Sequence, residues 1–341
     1  MLFFARDIGI DLGTANTLIY VRGKGIVLRE PSVVAINLHG NKILAVGNDA
    51  KQMIGRTPSN IIAVKPIRDG VIADFEATKT MLKFFVKKVV ANGLLSKSRI
   101  VICVPSGVTE VERKAVEEAT ILAGAREVHI IEEPTAAALG AGLPVSEPIG
   151  SMIVDIGGGT SEVAVISLGG IVTSKSIRVA GNEFDNAIIN YVKKEFNLMI
   201  GERTAEDVKI NIGSAYPGIR EEEMEIKGRD VVSGFPRAAI VTSENIREAL
   251  MDTLELVADA IKSTLEKTPP ELAADVFEHG IHLAGGGALL AGLDRFINRH
   301  TNIQVFITEH PMDCVVNGAG MIVDDFDKVR DAFLQTKEVR R

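Results

Sequence analysis

Two glycine-rich turns, each headed by an aspartate, are the residues of this chain best suited to do chemistry. The first runs Asp11-Leu12-Gly13-Thr14-Ala15-Asn16 and the second Asp155-Ile156-Gly157-Gly158-Gly159-Thr160, and each follows an apolar stretch. In such turns the backbone N–H groups point into one concavity, and glycine lets the chain come close to phosphate oxygens. A single turn is weak evidence, because glycine turns join strands everywhere, but a matched pair facing each other predicts a polyphosphate site. Its candidate contacts are Gly13, Thr14, Ala15, Asn16, Gly157, Gly158, Gly159 and Thr160.

The two aspartates that begin these turns would point into the same site. Carboxylates that converge repel each other, which favours protonation or a bound cation. Magnesium fits such a site, because it keeps most of its waters, takes few direct protein ligands and bridges to substrate phosphates. The sequence therefore predicts a magnesium ion held by Asp11 and Asp155 through water. The alternative is that both aspartates only cap the turns that follow their strands.

A third glycine run and a charged helix supply candidates for holding the rest of a nucleotide. Gly285-Gly286-Gly287-Ala288 joins an apolar strand to a helix, and a bare backbone there could lie flat against an adenine ring. Glu206 and Lys209 are three residues apart, hence on one face of a helix predicted to begin at Thr204. We expect Glu206, Asp207 and Lys209 to hold the ribose and the base edge. A tight strand–helix joint and a solvated ion pair are the simpler interpretations.

The surroundings of the two aspartate turns repeat each other. In each half an apolar strand ends in the Asp-x-Gly turn, a second strand follows, and another glycine turn leads into a third strand that begins near Ile26 or Ile171. Such a recurrence indicates a duplication that places two related sheet domains face to face. Residues 33–65 and 181–242 follow the three-strand units and resemble inserts. We therefore predict an α/β molecule with two large and two small lobes.

Apolar spacing predicts several of the elements that must position these turns. Arg99–Val104 is a continuous apolar run and predicts a strand buried on both faces. Thr109 and Glu112 form a capping box at the start of a helix. The predicted buried stripe of that helix is Val111, Ala115, Ala119 and Leu122. Two further amphipathic helices are predicted over Phe184–Phe196 and Ile246–Leu265.

The composition excludes some classes of protein. Of the 341 residues, 46% are hydrophobic, which is ample for packed cores and excludes a largely disordered chain. The net charge is −7 and basic residues alternate with acids, so we expect no nucleic-acid partner. Cys103 and Cys314 lack metal-ligand spacing and are expected to be reduced core residues of a cytoplasmic protein. No stretch reaches the roughly 18 uninterrupted apolar residues of a membrane-spanning helix.

Taken together, these motifs resemble those of a known family. The chain is similar to the actin/Hsp70/hexokinase superfamily of ATPases and, within it, to the MreB family of bacterial actins. The turns at Asp11 and Asp155 resemble the family's two phosphate loops, and Gly285–Ala288 its adenosine motif. Glu132-Glu133-Pro134 and Asn317-Gly318-Ala319-Gly320 resemble its two hinge segments. Two small departures, which remove no acid or phosphate donor, are Thr135 and Ser161.

The resemblance implies an actin-like ATPase fold, in which duplicated RNase H-like domains each carry a smaller inserted subdomain around a nucleotide cleft. ATP and Mg²⁺ would lie between the large subdomains IA and IIA. The implied bounds are 1–32, 66–144 and 311–341 for IA, 33–65 for IB, 145–180 and 243–310 for IIA, and 181–242 for IIB.

The resemblance also implies slow hydrolysis of ATP to ADP and phosphate, coupled to polymerisation, with Glu133 orienting the attacking water and Thr160 assisting. Without the resemblance, the better explanation of Glu133 is a helix-start carboxylate favoured by the helix dipole. The implied filaments are antiparallel pairs on the inner face of the cell membrane, where they organise cell-wall synthesis and maintain rod shape. The implied partners are further copies of the chain, anionic lipid, morphogenesis proteins such as RodZ, MreC and MreD, and the cell-wall elongation machinery.

Two short apolar spots could contact lipid. One is Met1-Leu2-Phe3-Phe4, and the other is Leu94-Leu95, which follows Lys87-Lys88 and precedes Lys97. Apolar tips beside cations suit an anionic membrane surface, although each spot alone binds weakly. We predict that the loop makes the contact and that the amino-terminal residues aid it. The alternative is a buried loop and an extension of the first strand.

Three rival functions use related folds. A sugar or acid kinase needs a pocket for its acceptor, and the inserts look too small to enclose one. An Hsp70-like chaperone needs a substrate-binding domain, yet only residues 324–341 follow the last hinge motif. A plasmid-segregating actin relative would share the chemistry and differ in its cellular context.

Overall fold

A computed structural model describes residues 7–40, 42–90 and 98–326 of the chain, which form eighteen strands and ten α-helices. The strands are β1 (Ile8–Leu12), β2 (Asn16–Val21), β3 (Gly25–Pro31), β4 (Val34–Asn37), β5 (Lys42–Val46), β6 (Ile61–Val64), β7 (Ile67–Arg68), β8 (Val71–Ile72), β9 (Arg99–Val104), β10 (Glu127–Glu132), β11 (Ser151–Ile156), β12 (Ser161–Ser167), β13 (Gly170–Ile177), β14 (Leu198–Met199), β15 (Glu223–Asp230), β16 (Pro236–Thr242), β17 (Ile281–Ala284) and β18 (Val305–Ile307). The helices are α1 (Asn48–Lys51), α2 (Phe75–Val89), α3 (Glu110–Leu122), α4 (Glu133–Gly140), α5 (Gly181–Phe196), α6 (Glu202–Ile212), α7 (Ser243–Glu266), α8 (Pro270–His279), α9 (Leu293–Thr301) and α10 (Cys314–Asp324).

Two five-stranded sheets of the same topology form the two halves of the molecule. The first has the order β10-β9-β1-β2-β3, and the second has the order β18-β17-β11-β12-β13. In each sheet three consecutive strands pair antiparallel, and two later strands lie parallel beside the first of them. Asp11 and Asp155 both stand one residue before the end of their strand. The predicted duplication is therefore confirmed in the order and direction of the strands.

The predicted inserts each contain a small sheet. Residues 33–65 contain α1 and a three-stranded sheet in the order β5-β4-β6. Residues 181–242 contain α5, α6 and a three-stranded sheet in the order β14-β15-β16. The exact subdomain bounds implied by the resemblance stay a prediction. None of the helices in the described ranges is long and apolar enough to cross a membrane.

The two halves are joined where α4 and α10 cross. Each half has its own apolar core, and a further cluster, which includes Ile131, Ile153 and Val315, packs both sheets against these two helices. Gly140 and Gly318 lie at the crossing, where any side chain would collide with the backbone of the other helix. The glycines of the predicted hinge segment thus allow the two helix backbones to touch.

The helix α3 begins as predicted but buries a different face. Thr109 accepts from the backbone of Glu112, and the reciprocal bond completes the capping box. The predicted stripe is wrong at its ends, because Val111 is 78% exposed and Leu122 is 49% exposed. The buried residues of this helix region are Val116, Ala119, Thr120 and Ala123. Thr120 can be buried although it is polar, because its hydroxyl donates a hydrogen bond to the carbonyl of Val116.

Candidate nucleotide site

A cleft of about 390 Å³ lies between the two sheets and is lined by both aspartate turns. All eight predicted phosphate contacts line it, from Gly13 to Asn16 and from Gly157 to Thr160. So do the predicted acids, the glycines of the third run and two of the three residues of α6 that were predicted to hold the ribose and base. These residues are Asp11, Asp155, Glu133, Gly285, Gly286, Gly287, Glu206 and Lys209. Residues far apart in sequence are thus brought together at one site.

The two aspartate turns contact each other at one end of the cleft. A Cβ atom added at Gly158 would lie 2.6 Å from the Cβ of Ala15, and one added at Gly159 would lie 2.6 Å from Thr14 Oγ1. Thr14 Oγ1 also accepts a hydrogen bond from Gly70 N at 3.1 Å. Glycine is therefore required for the two turns to approach, in addition to any role it has toward a ligand.

Carbonyl groups of both turns are held by donors from the chain itself. In the second turn, Thr160 O accepts from Gly157 N at 2.9 Å, and Gly158 O accepts from Asn182 N at the start of α5 at 2.8 Å. In the first turn, Gly13 O accepts from the Ser32 hydroxyl at 2.6 Å. These bonds fix the turns in place, which fits a role for their N–H groups as donors to phosphate oxygens.

Buried acids from both halves converge on the cleft. Burial raises the pKa of Asp11 to about 7. Burial, aided by repulsion from Asp11 and Glu162, raises the pKa of Asp155 to about 8. The pKa of Glu133 lies well above its usual range, first because of burial and then because of repulsion from Glu162, Asp11 and Asp155. This concentration of uncompensated negative charge fits a bound cation.

The acids do not form a closed metal cage. Among residues 7–40, 42–90 and 98–326, no three His, Cys, Asp or Glu side chains are placed so that they could hold a metal ion. Magnesium takes few direct protein ligands in nucleotide sites, and the water-mediated role of Asp11 and Asp155 stays a prediction.

Two glycines of the third run, Gly285 and Gly287, are required by the packing of the fold. Gly285 has φ +80°, and side chains at Gly285 or Gly287 would collide with Ile156 of β11. The tight strand–helix joint therefore explains these two glycines. Nothing lies within 4 Å of a Cβ built at Gly286, so this residue has open space beside it. Ala288 is fully buried in the core of the second half and does not line the cleft.

The helix α6 begins at Glu202, two residues before the predicted Thr204, because Gly201 takes the N-cap position. Glu206 and Asp207 of this helix face different surroundings. Glu206 lines the cleft, whereas Asp207 is exposed and lines a neighbouring pocket of about 310 Å³ between the two inserts. The position of Asp207 is therefore beside the predicted site and not in its wall.

Glu206 and Lys209 of α6 pair with other elements and not with each other. Glu206 accepts from Lys51 Nζ of α1 at 2.9 Å, which links the two inserts across the mouth of the cleft. Lys209 lies 2.7 Å from a carboxylate oxygen of Asp185 and donates to Gly181 O at 2.8 Å. Both interactions join parts of the chain that local spacing does not relate.

Some residues of the cleft wall were not predicted. Ile210, Leu289 and Met312 are apolar, exposed and line the cleft. Apolar surface of this kind suits the faces of a flat base. They come from three separate elements, so no spacing in the sequence relates them. The one available signal is Ile210, an apolar residue on the otherwise polar side of α6.

Two duplicated sheets that share a cleft, a pair of glycine turns and a glycine-lined hinge define an actin-like ATPase fold. Comparison with known proteins agrees. The family model described as MreB/Mbl protein matches residues 5–331. The chain therefore belongs to the MreB/Mbl family of cell shape-determining, actin-like proteins.

Individual relatives cover almost the whole chain. The cell shape-determining protein Mbl of Bacillus subtilis (strain 168) is 53% identical over 326 residues, which are 96% of this chain and 98% of Mbl. The cell shape-determining protein MreB of Escherichia coli (strain K12) is 54% identical over 329 residues, 95% of each chain. The crystal structure of MreB5 of Spiroplasma citri bound to AMPPNP aligns with a TM-score of 0.92 and 42% identity, covering 97% of this chain and 99% of that one. This membership argues against the kinase, chaperone and plasmid-segregation alternatives.

Proposed function

We propose that this chain binds ATP with Mg²⁺ in the cleft, hydrolyses it slowly and couples hydrolysis to polymerisation. The observation that carries the proposal is the contact of two glycine turns beside a cluster of buried acids drawn from both halves. The likeness to a structure that holds AMPPNP supports the choice of nucleotide. The proposed cellular role is to maintain rod shape by organising cell-wall synthesis.

In this proposal each part of the cleft has one task. The N–H groups of the two turns bind the phosphates, and Asp11 and Asp155 hold magnesium through water. A bound magnesium ion supplies positive charge that compensates the phosphates and the acids. Glu133, at the start of α4, orients the attacking water, and Thr160 of the second turn assists it. Ile210, Leu289 and Met312, the exposed apolar residues of the cleft wall, bind the base.

The test of the catalytic assignment is the Glu133→Gln variant. We expect it to retain ATP but to release phosphate at least about a hundredfold more slowly, the usual contribution of a general base. The matched control is Glu132→Gln, one residue earlier, because Glu132 lies 3.7 Å from Arg113 and does not line the cleft. Phosphate release by Glu133→Gln at the wild-type rate under polymerising conditions would remove Glu133 from the mechanism.

Coupling of hydrolysis to assembly has a measurable consequence. Subunit contacts that close the cleft would complete the geometry around the water, so polymers should hydrolyse ATP faster than monomers. The chain carries exposed apolar surface that self-association would cover, including Val111 and Leu122 of α3. We expect phosphate release per subunit to rise with protein concentration. A rate per subunit that is independent of concentration would contradict the coupling.

The proposed filaments are antiparallel pairs bound to anionic lipid on the inner face of the cell membrane. The predicted lipid contacts, Met1 to Phe4 and Leu94 with Leu95, lie outside the described residues. The described strands that follow them are neighbours, because Ile8 of β1 pairs with Ile100 of β9 in a parallel ladder. Both apolar segments therefore precede strands that begin at the same end of the first sheet, which supports contact of both segments with one membrane surface.

Liposome co-sedimentation tests the membrane contact. We expect the Leu94→Ser/Leu95→Ser double variant to pellet less than the wild type with vesicles that contain anionic phospholipid. The control is Leu168→Ser, which changes an exposed leucine in the second half. Wild-type pelleting by the double variant would count against the loop. The proposed protein partners, RodZ, MreC, MreD and the elongation machinery, are tested by co-purification from detergent-solubilised membranes.

A further inference from the structure

Glu162 is a fully buried acid that the proposed mechanism does not use. It lies in β12, two residues after Thr160, and pairs with Asp155 of β11 in the antiparallel ladder. Residues directly opposite each other in such a ladder have side chains on the same face of the sheet. Glu162 is therefore on the face that carries Asp155, behind the second glycine turn.

The carboxylate of Glu162 links the two halves of the molecule. Its Oε2 atom accepts from Ser106 N at 3.1 Å and from Ser106 Oγ at 2.6 Å. Its Oε1 atom accepts from Ser176 Oγ of β13 at 2.5 Å. Ser106 belongs to the loop between β9 and α3 of the first half, whereas Ser176 belongs to the second half. Three donors thus satisfy a buried carboxylate, and two of them cross between the halves.

The loop that Glu162 holds reaches Thr160 of the proposed mechanism through Gly70. A Cβ atom built at Gly70 would lie 2.6 Å from Pro105 Cγ and 3.0 Å from Thr160 Cγ2, so Gly70 packs against both residues. Glu162 is therefore linked to Thr160 through the loop it holds and through Gly70.

We propose that Glu162 is a positioning residue for hydrolysis, which fixes the β9–α3 loop against the second glycine turn by its hydrogen bonds to Ser106. The residue does not line the cleft, so it acts through Thr160 and the loop and not by contact with the nucleotide. This inference rests on the proposed ATPase function.

The test compares two substitutions of Glu162 at saturating Mg-ATP. Glu162→Ala removes every hydrogen bond of the carboxylate, and we expect it to slow single-turnover phosphate release about tenfold or more. Glu162→Gln loses the charge but keeps an oxygen that accepts from Ser106, and we expect release within about threefold of the wild type. Both variants should bind ATP with wild-type affinity. The positioning role would be overturned if Glu162→Ala released phosphate at the wild-type rate. It would also be overturned if Glu162→Gln released phosphate as slowly as Glu162→Ala does.

The Ser106→Ala variant tests the same bond from the other side. It removes one donor, so we expect release to slow several-fold, with no further loss when it is combined with Glu162→Ala. Ser174→Ala, at an exposed serine two residues before Ser176 on β13, is the matched control and should release phosphate at the wild-type rate. If Glu162→Ala does not fold, wild-type release by Ser106→Ala overturns the proposal. A wild-type protein that does not hydrolyse Mg-ATP contradicts the ATPase function itself, a result distinct from these.

Discussion

The buried acids should make the ligand-free protein less stable as the pH rises. The pKa of Asp155 is raised to about 8 in the folded chain, against 3.8 for a free aspartate. Between these pH values the folded state binds a proton that the unfolded state has lost. The free energy of unfolding therefore falls with increasing pH, the opposite of the usual behaviour of a salt-bridged aspartate. The substitution that isolates this effect is Asp155→Asn, which keeps the shape and removes the titration.

The size of the effect follows from the two pKa values. From about pH 5.5 to about pH 7.5 the unfolded aspartate is ionised throughout, while Asp155 in the folded chain stays mostly protonated. Two pH units at about 1.4 kcal/mol each, reduced slightly as Asp155 begins to ionise, give a loss of about 2.5 kcal/mol in the wild type. Asp155→Asn lacks this contribution and keeps that of Asp11, whose pKa is raised to about 7 by burial alone.

The assay is urea unfolding at both pH values without nucleotide or magnesium, followed by circular dichroism. We expect the wild type to lose about 2.5 kcal/mol more than Asp155→Asn between the two pH values. Asp252→Asn, on the exposed side of α7, is the control and should follow the wild type. Mg-ATP should stabilise the wild type and fail to stabilise Asp155→Asn. Equal pH dependence in the wild type and Asp155→Asn would refute the reasoning about the buried acids.

Two further predictions concern the hinge and the mouth of the cleft. Gly318→Ala should lower the free energy of unfolding by several kcal/mol, because the added methyl group would collide with the backbone of Ala136. Gly201→Ala is the control: its methyl group would meet open space, so the free energy of unfolding should change by less than about 1 kcal/mol. Urea titrations measure both values. Lys51→Ala should leave stability within about 1 kcal/mol, since its ion pair with Glu206 is partly exposed, but should speed the release of a fluorescent ATP analogue by opening the mouth. An unchanged release rate would show that this ion pair does not hold the cleft closed.

Local signals in the sequence predicted the bounds of β9 and the start of α3. The strand β9 has the predicted bounds, because a continuous apolar run ends at Pro105, which cannot continue the ladder. The capping box at Thr109 formed because both of its bonds lie within four residues. The buried face of α3 was missed because the predicted stripe and the face that is buried have the same helical spacing and share Ala119. A rotation of the helix by about one residue, or roughly 100°, exchanges them, and only tertiary packing selects one.

The candidate site was predictable where its residues lie in short segments with a recognisable pattern. The glycine turns and their aspartates could be recognised because each is a short segment with a repeated counterpart. The hydrogen bonds of Glu162 to Ser106 join residues 56 positions apart, and the ion pair of Lys51 with Glu206 joins residues 155 positions apart. No local pattern encodes such pairs, since they depend on how the two halves and their inserts fold against each other.

The distribution of charge explains why the two halves should respond to a ligand as units. Asp11 belongs to the first half and Asp155 to the second, so ionisation of both acids would create repulsion across the cleft. Packing at Gly158 and Gly159 and the hydrogen bonds of Ser106 hold the halves together against it. A cation bound with the nucleotide would favour the ionised acids and compensate the repulsion between them. The backbones of α4 and α10 touch where they cross, so we expect this change to reach the outer surface as a rotation of the halves about that hinge.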